Sequence, residues 1–282
     1  GATHVMLMNP LGKEMSRMRT SLVPGLLQSA AVNQNHGNTD LKLFEIGHVF
    51  QESQAPQLVG NILEEERICL LLTGTSSPRH WGSNAPPVSL YDLKGEIGDL
   101  LDACKLDSWR YIYYPTSEAL ADNPICLEIN GAGAGYLGKV KHEVCRKFGL
   151  EHETFVGELT LSSLISHKVS RYTSLPRFPM VRRDVAFILD AATPAEEIER
   201  CIRVSGSQLL QSVELFDVYQ GENLPAGKKS LAFTLELLSR EKTLTESEIE
   251  SEVQHIVYRV KVEFGAELRD KEGTMANIVS IH

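Results

Sequence analysis

The sequence contains no unbroken apolar run of the roughly 18–20 residues that a membrane-spanning helix needs. Its opening Gly1-Ala2-Thr3-His4 lacks both a starting Met and the basic and apolar regions of a secretory signal. Cysteine is sparse: Cys69, Cys104, Cys126, Cys145 and Cys201 are an odd set without CxxC spacing. Neither a disulfide framework nor a zinc site follows from them, and buried, reduced thiols in a cytoplasmic compartment are the expectation. The nine histidines do not cluster at metal-ligand spacing, so no metal site is expected either. Internal repeats and low-complexity tracts are absent. So is an excess of positive charge: the formal net charge is −9. That excludes a protein coating nucleic acid through a broad basic surface, while leaving room for a local basic patch.

What is present suffices for two cores. The chain has 282 residues, 42% hydrophobic and 23% charged, which predicts two domains of ordinary size. Ser21, with Pro24 close behind, predicts a helix start, and Asn35-His36-Gly37-Asn38 ends it in turn chemistry. Residues 41–50 alternate in part as a half-buried strand does, and 67–73 form an apolar strand. Leu93, Ile97, Leu100 and Leu101 share one helical face. Asn130-Gly131 predicts a hairpin between 125–129 and 134–140, because both turn residues tolerate positive φ. Those glycines join strand to strand, so they offer a phosphate no helix N-terminus. A helix over 143–148 and a strand over 155–161 complete a region with a largely antiparallel sheet.

Beyond a boundary between 166 and 175 the pattern becomes a single unit. Residues 184–190 read as a strand, and Thr193 is expected to cap a helix over 194–204. Strands follow over 212–219 and 230–238. Thr245, with Glu248 at capping-box spacing, opens a long helix carrying Ile249, Val253, Ile256, Val257, Val260 and Phe264, and Gly265 stops it. A fourth strand is expected over 266–269. The order β-α-β-β-α-β is the split βαβ, ferredoxin-like arrangement.

The motifs themselves carry a resemblance. Asn9-Pro10-Leu11, Met18-Arg19-Thr20-Ser21-Leu22-Val23-Pro24-Gly25-Leu26-Leu27 and Leu43-Phe44-Glu45-Ile46-Gly47-His48-Val49-Phe50 resemble the catalytic-like domain of the β-subunit family of bacterial phenylalanyl-tRNA synthetases. Arg177-Phe178-Pro179, Arg182-Arg183-Asp184-Val185-Ala186-Phe187, Phe216-Asp217-Val218-Tyr219, Gly227-Lys228-Lys229-Ser230-Leu231-Ala232-Phe233 and Arg240-Glu241-Lys242-Thr243-Leu244-Thr245 look like that family's ferredoxin-fold anticodon-binding domain. The fold class expected is α+β. A class II synthetase-like antiparallel-sheet domain would span 1–168, a ferredoxin-like split βαβ domain 169–272, and an unassigned tail 273–282.

The resemblance implies a C-terminal piece of a subunit that works in an assembly of two α and two β chains. In that assembly the α subunit activates phenylalanine with ATP and Mg. The present chain is expected to hold no catalytic residue, cofactor or metal, to be inactive alone, and to work in the cytoplasm. No Gly-Leu-Asp-Arg-like motif, the third that a class II ATP site requires, occurs before Ser166. Arg19 and Glu45 therefore read as structural. The expected partners are the α subunit and the anticodon arm of tRNA(Phe), with no membrane.

The tRNA-binding candidates are Arg177, Arg182, Arg183, Asp217, Tyr219, Lys228 and Lys229. The basic run from Arg171 to Arg183 contains no acid and could anchor phosphates. Arg182 or Arg183 could equally pair with Asp184 or a helix C-terminus. Lys228 and Lys229 begin a strand, where reaching phosphates competes with decorating a solvated sheet edge. Phe216 and Tyr219, three apart on a strand, are expected on opposite faces, one in the core and one free to stack on a base. Asp217 could accept from a guanine edge. The alternative is a ferredoxin-like dimerisation or small-ligand module without an RNA function.

Overall fold

The computed structural model describes residues 5–9, 16–52, 61–77, 80–82, 85–106, 108–113, 121–165 and 177–269. Contacts divide the chain into two compact units, Gly1–Ser170 and Arg171–His282; the tail 273–282 lies outside the described residues.

In the first unit the elements run α1 (Val23–Asn35), β1 (Leu41–Glu52), β2 (Ile62–Thr73), α2 (Leu90–Ala103), β3 (Trp109–Tyr113), β4 (Ala121–Ile129), β5 (Ala132–Val140), α3 (His142–Phe148) and β6 (Thr154–Thr160). The strands form one antiparallel sheet in the order β1-β2-β6-β5-β4-β3. Because strand side chains alternate, β2 and β6 each serve two cores. Ile68, Leu72, Phe155 and Leu159 pack with Leu93, Ile97 and Leu101 of α2. Cys69, Leu71 and Val156 pack with Leu26 and Leu27 of α1 on the opposite face.

The entry to α1 departs from expectation. Pro24 lies in the first turn, but the cap position is Leu22, without a side-chain cap bond. A distant carboxylate takes over instead. Glu158 Oε1 accepts from the Leu22 amide at 2.5 Å and from Ser21 Oγ at 3.1 Å, and its Oε2 accepts from Arg67 Nη1 at 3.1 Å. Glu158 is 2% exposed, so a buried charge is kept by having both oxygens satisfied. The hairpin between β4 and β5 is as expected: Asn130 and Gly131 have φ of 51° and 81°, the pair of positive values that a type I′ turn demands. Two features went unforeseen. β3 is a five-residue edge strand. β2 starts at Ile62, five residues early, because Ile62–Glu66 pairs with β1 alone, beyond the reach of β6. Glu64, Glu65 and Glu66 thus sit on a two-stranded arm, where apolar alternation is not required.

The second unit runs β7 (Val181–Asp190), α4 (Ala195–Ser205), β8 (Leu210–Tyr219), β9 (Lys228–Leu237), α5 (Glu246–Phe264) and β10 (Glu267–Leu268). Its antiparallel sheet has the order β10-β7-β9-β8, which is the split βαβ, ferredoxin-like topology. Val185, Phe187 and Leu189 of β7 and Leu231, Phe233 and Leu235 of β9 form its core with Ile198 and Ile202 of α4 and Ile249, Val253 and Ile256 of α5. Thr193 does not cap α4; Pro194 occupies that position without a side-chain bond. Asp190 holds this turn instead, its Oδ1 accepting from the Ala192 amide at 2.9 Å. At α5 the capping box forms, with Glu248 Oε2 accepting from the Thr245 amide at 3.0 Å and Thr245 Oγ1 accepting from the Glu248 amide at 3.4 Å. No described helix is long and apolar enough to cross a membrane.

Two outcomes follow. Glu158→Ala strands Arg67 and the Leu22 amide, and is expected to lower the stability of the first unit by about 3 kcal/mol. Urea denaturation reads this directly, and a loss well under 1 kcal/mol would refute the capping role. Glu248 has its carboxyl lowered from 4.5 to about 2, chiefly by Lys242. A depressed carboxyl contributes stability fully present above the unfolded value and lost as pH falls through the folded one. The deficit of Glu248→Gln should therefore be constant above pH 4.5 and shrink toward pH 2, as read from urea midpoints over that range.

Candidate nucleic-acid interface

Both helices of the second unit pack on one face of its sheet, which leaves the other face for contact. Cross-strand neighbours share a face, so the register lays this surface out in rows. Arg182, Glu236 and Ser212 form the first, followed by Asp184, Thr234 and Glu214, then Ala186, Ala232 and Asp217. Glu267, Ile188, Ser230 and Tyr219 form the fourth, and Asp190 with Lys228 closes the series.

The first rows are self-satisfied. Arg182 Nε and Nη2 donate to Glu236 Oε1 at 2.9 and 2.8 Å, and Ser212 Oγ donates to Glu236 Oε2 at 2.7 Å. The Ser212 hydroxyl and then the Arg182 guanidinium hold the Glu236 carboxyl below its ordinary range. Thr234 Oγ1 donates to Asp184 Oδ1 at 2.7 Å. The third and fourth rows differ in kind. Their floor is Ala186, Ile188, Ala232 and Ser230, and the last two are buried although they face away from the helices. Here the guanidinium carbon of Arg269 lies 5.1 Å from the centre of the Tyr219 ring. The Arg269 amide is anchored to the Ala186 carbonyl at 2.8 Å. The result is a shallow cradle with a floor of mostly small residues, a cation–aromatic pair over it and the Asp217 carboxylate at its rim. Such a cradle offers stacking faces and an acceptor, the elements that a splayed base requires.

A bulge positions this set. Val213 and Leu215 pair with Leu235 and Phe233 of the core, and unbroken alternation would carry Asp217 and Tyr219 to the helix face as well. The register instead slips by one residue between Leu215 and Asp217. The extra residue turns Asp217 and Tyr219 onto the open face. Phe216 is left without a partner on β9, and neither it nor Tyr219 belongs to the core. The expectation that one of the two enters the core is not met, because it counted alternation through a strand that is not regular.

The basic candidates do not converge. Arg183 was expected among the RNA contacts; it is 7% exposed and gives two hydrogen bonds, of 2.7 and 2.9 Å, to Glu246 at the start of α5. Its guanidinium is spent inside the fold, so it is a structural residue. Lys229 pairs with Leu189 on the helix side, whereas Lys228 pairs with Asp190 on the open side, so the two lysines cannot grip one phosphate strand together. Arg177 is exposed just before β7. On the open face Arg182, Lys228 and Arg269 are outnumbered by Asp184, Asp190, Glu214, Asp217, Glu236 and Glu267. Sequence reasoning missed Arg269, Ser230 and the two alanines. Arg269 was within reach, since it ends the expected fourth strand.

In the first unit Arg19, Arg67 and Arg110 are matched by acids. Arg19 Nη1 lies 2.6 Å from Glu45 Oε1, and Arg67 bonds to Glu65 at 2.6 Å and to Glu158 at 3.1 Å. Burial pushes the neighbouring Cys69 thiol up, out of thiolate chemistry. Among the described residues no group of three or more His, Cys, Asp or Glu could hold a metal ion.

Residues 1–161 match the family described as phenylalanyl tRNA synthetase beta chain CLM domain, and residues 176–269 match the ferredoxin-fold anticodon binding domain. A phenylalanine–tRNA ligase beta subunit of Haemophilus influenzae (strain 86-028NP) is 32% identical over 267 residues, covering 94% of this chain and 33% of that one. The corresponding subunit of Mannheimia succiniciproducens is 35% identical over 268 residues, with 94% and 33% covered. That of Vibrio cholerae is 32% identical over 271 residues, with 96% and 34% covered. The chain thus spans about a third of the length of these relatives. A solved pyrrolysyl-tRNA synthetase of Desulfitobacterium hafniense is similar at a TM-score of 0.41 and 16% identity, over 57% of this chain and 52% of that one. The chain belongs to the phenylalanyl-tRNA synthetase β-chain family, with a ferredoxin-fold anticodon-binding domain as its second unit.

Proposed function

We propose that this chain serves a cytoplasmic phenylalanine–tRNA ligase in two ways, reading the anticodon arm of tRNA(Phe) with its second unit and docking the α subunit with its first. The observation that carries the reading is the cradle: Tyr219 and Arg269 over Ala186, Ala232 and Ser230, with Asp217 at the rim. A base entering it would stack on the ring or the guanidinium plane, and a carboxylate acceptor favours the imino and amino donors of a guanine edge. Phosphates are left to Arg177, Lys228 and Lys229 at the margins, and Arg182 contributes only by leaving Glu236.

The chain's own arginines do not fit the triphosphate that the family uses. Arg19 and Arg67 face Glu45, Glu65 and Glu158, a set that neutralises them and repels polyphosphate. ATP and Mg are therefore assigned to the α subunit, and the chain alone is inferred not to activate phenylalanine. The α-docking surface is assigned to the outer edge of β1. Phe44 and Ile46 there are 70% and 50% exposed. Farther along the same edge, Arg19 fills the outward groups, accepting from the Phe50 amide and donating to the His48 carbonyl, both at 2.8 Å.

Binding of the 282-residue chain to a phenylalanine anticodon stem-loop should be weak, with a shallow salt dependence of about −0.7 in log–log slope per phosphate contact. Asp217→Asn and Tyr219→Ala should erode preference for the matched over an anticodon-swapped loop. Lys228→Ala should weaken both loops alike, and Arg183→Ala should lower stability without a further effect on discrimination. Equal binding to an unrelated hairpin would overturn the anticodon reading. For assembly, light scattering should detect a complex with added α subunit that Phe44→Glu weakens at least tenfold; indifference to α would remove that role.

A further inference from the structure

Phe216 is the feature that this reading leaves unused. It is a large aromatic at 54% exposure on an edge strand, a place where folds usually put charge to discourage unwanted pairing. The bulge both creates the extra position and leaves it unpaired on β9. Bulges next to binding sites commonly serve to re-aim a side chain. The residue directly precedes Asp217 and lies three residues from Tyr219, roughly 10 Å along an extended strand. Its surroundings also select what can approach. Glu214 and Asp217 flank it on β8 and are exposed, so a phosphate is repelled while an uncharged base face is not.

We infer that Phe216 is a second stacking residue of the interface, taking the base that neighbours the one held between Asp217, Tyr219 and Arg269. The inference rests on the anticodon reading and extends it from one base to two. Stacking is tolerant of base identity, so Phe216 adds affinity while Asp217 and Tyr219 add discrimination.

The register gives an unusual handle. Removing Phe216 leaves Leu215 opposite Phe233 and Asp217 opposite Ala232, as they already are. A one-residue deletion within a strand ordinarily flips every later side chain; here it merely straightens the strand. Phe216→Ala and the Phe216 deletion are therefore expected to behave alike. Each should lower affinity for the anticodon stem-loop about tenfold, keep the ratio between matched and swapped loops, and leave the thermal transition of the chain in place. Phe216→Trp should restore wild-type affinity. Abasic substitution of one of the two nucleotides flanking the discriminated one should abolish the difference between wild type and Phe216→Ala.

Several results would overturn the inference. They are unchanged affinity in Phe216→Ala, a loss that persists with both flanking nucleotides abasic, and a loss of α-subunit association instead of RNA affinity, which would make Phe216 a protein contact. A wild-type chain without preference for the matched loop would instead defeat the anticodon reading itself, so the two failures are distinguishable.

Discussion

A strand can show a given side chain to only one side of its sheet, and much of this protein follows from how that constraint is met or broken. In the first unit β2 and β6 obey it, and each feeds one core on the α1 side and another on the α2 side. In β8 of the second unit it is broken twice, between Leu210 and Ser212 and between Leu215 and Asp217. Without the slip between Leu215 and Asp217, the carboxylate and the phenol would face Leu235 and Phe233's side of the sheet, against the helices. A polar face and an apolar core are thus built from one ten-residue strand by changing its parity partway along.

Charge is handled with similar economy on an acidic chain. The two most enclosed ionic groups, Glu158 and Arg183, tie elements that are remote in sequence. Glu158 brings β6 to the start of α1, and Arg183 brings β7 to the start of α5. Neither needs to add much net stability, because desolvation offsets most of the attraction. Their effect is on choice of partner: each helix start accepts one strand position and no other without stranding a charge. The second pair also removes Arg183 from the surface.

Local chemistry was legible in the sequence wherever the signal and its partner lie close together. Asn130-Gly131 specified its turn, Thr245 with Glu248 specified the start of α5, and the spacing of Ile249, Val253, Ile256 and Val260 specified the buried side of that helix. Thr193 shows the limit, since Asp190 holds the same turn by another route. What depends on cross-strand register was not legible. The bulge, the meeting of Tyr219 with Arg269 fifty residues later, and the pairing of Arg183 with Glu246 are set by which strands become neighbours. The split of Lys228 from Lys229 was available from alternation alone. The three glutamates at 64–66 hid a strand because that stretch pairs with β1 alone, where an apolar period is not required.

The alanine floor has a consequence for how variation in this family is scored. Ala186 and Ala232 point away from the helices, on the face where Arg269 meets the Tyr219 ring. A valine at either position would suit a strand at least as well by intrinsic preference and would add its bulk on the side away from the helix-covered core. A screen that ranks variants by abundance or heat resistance would therefore pass such changes as benign. Their bulk would lie beside Tyr219 and Arg269, so on the anticodon reading proposed above the damage would surface in an assay that asks which RNA is held.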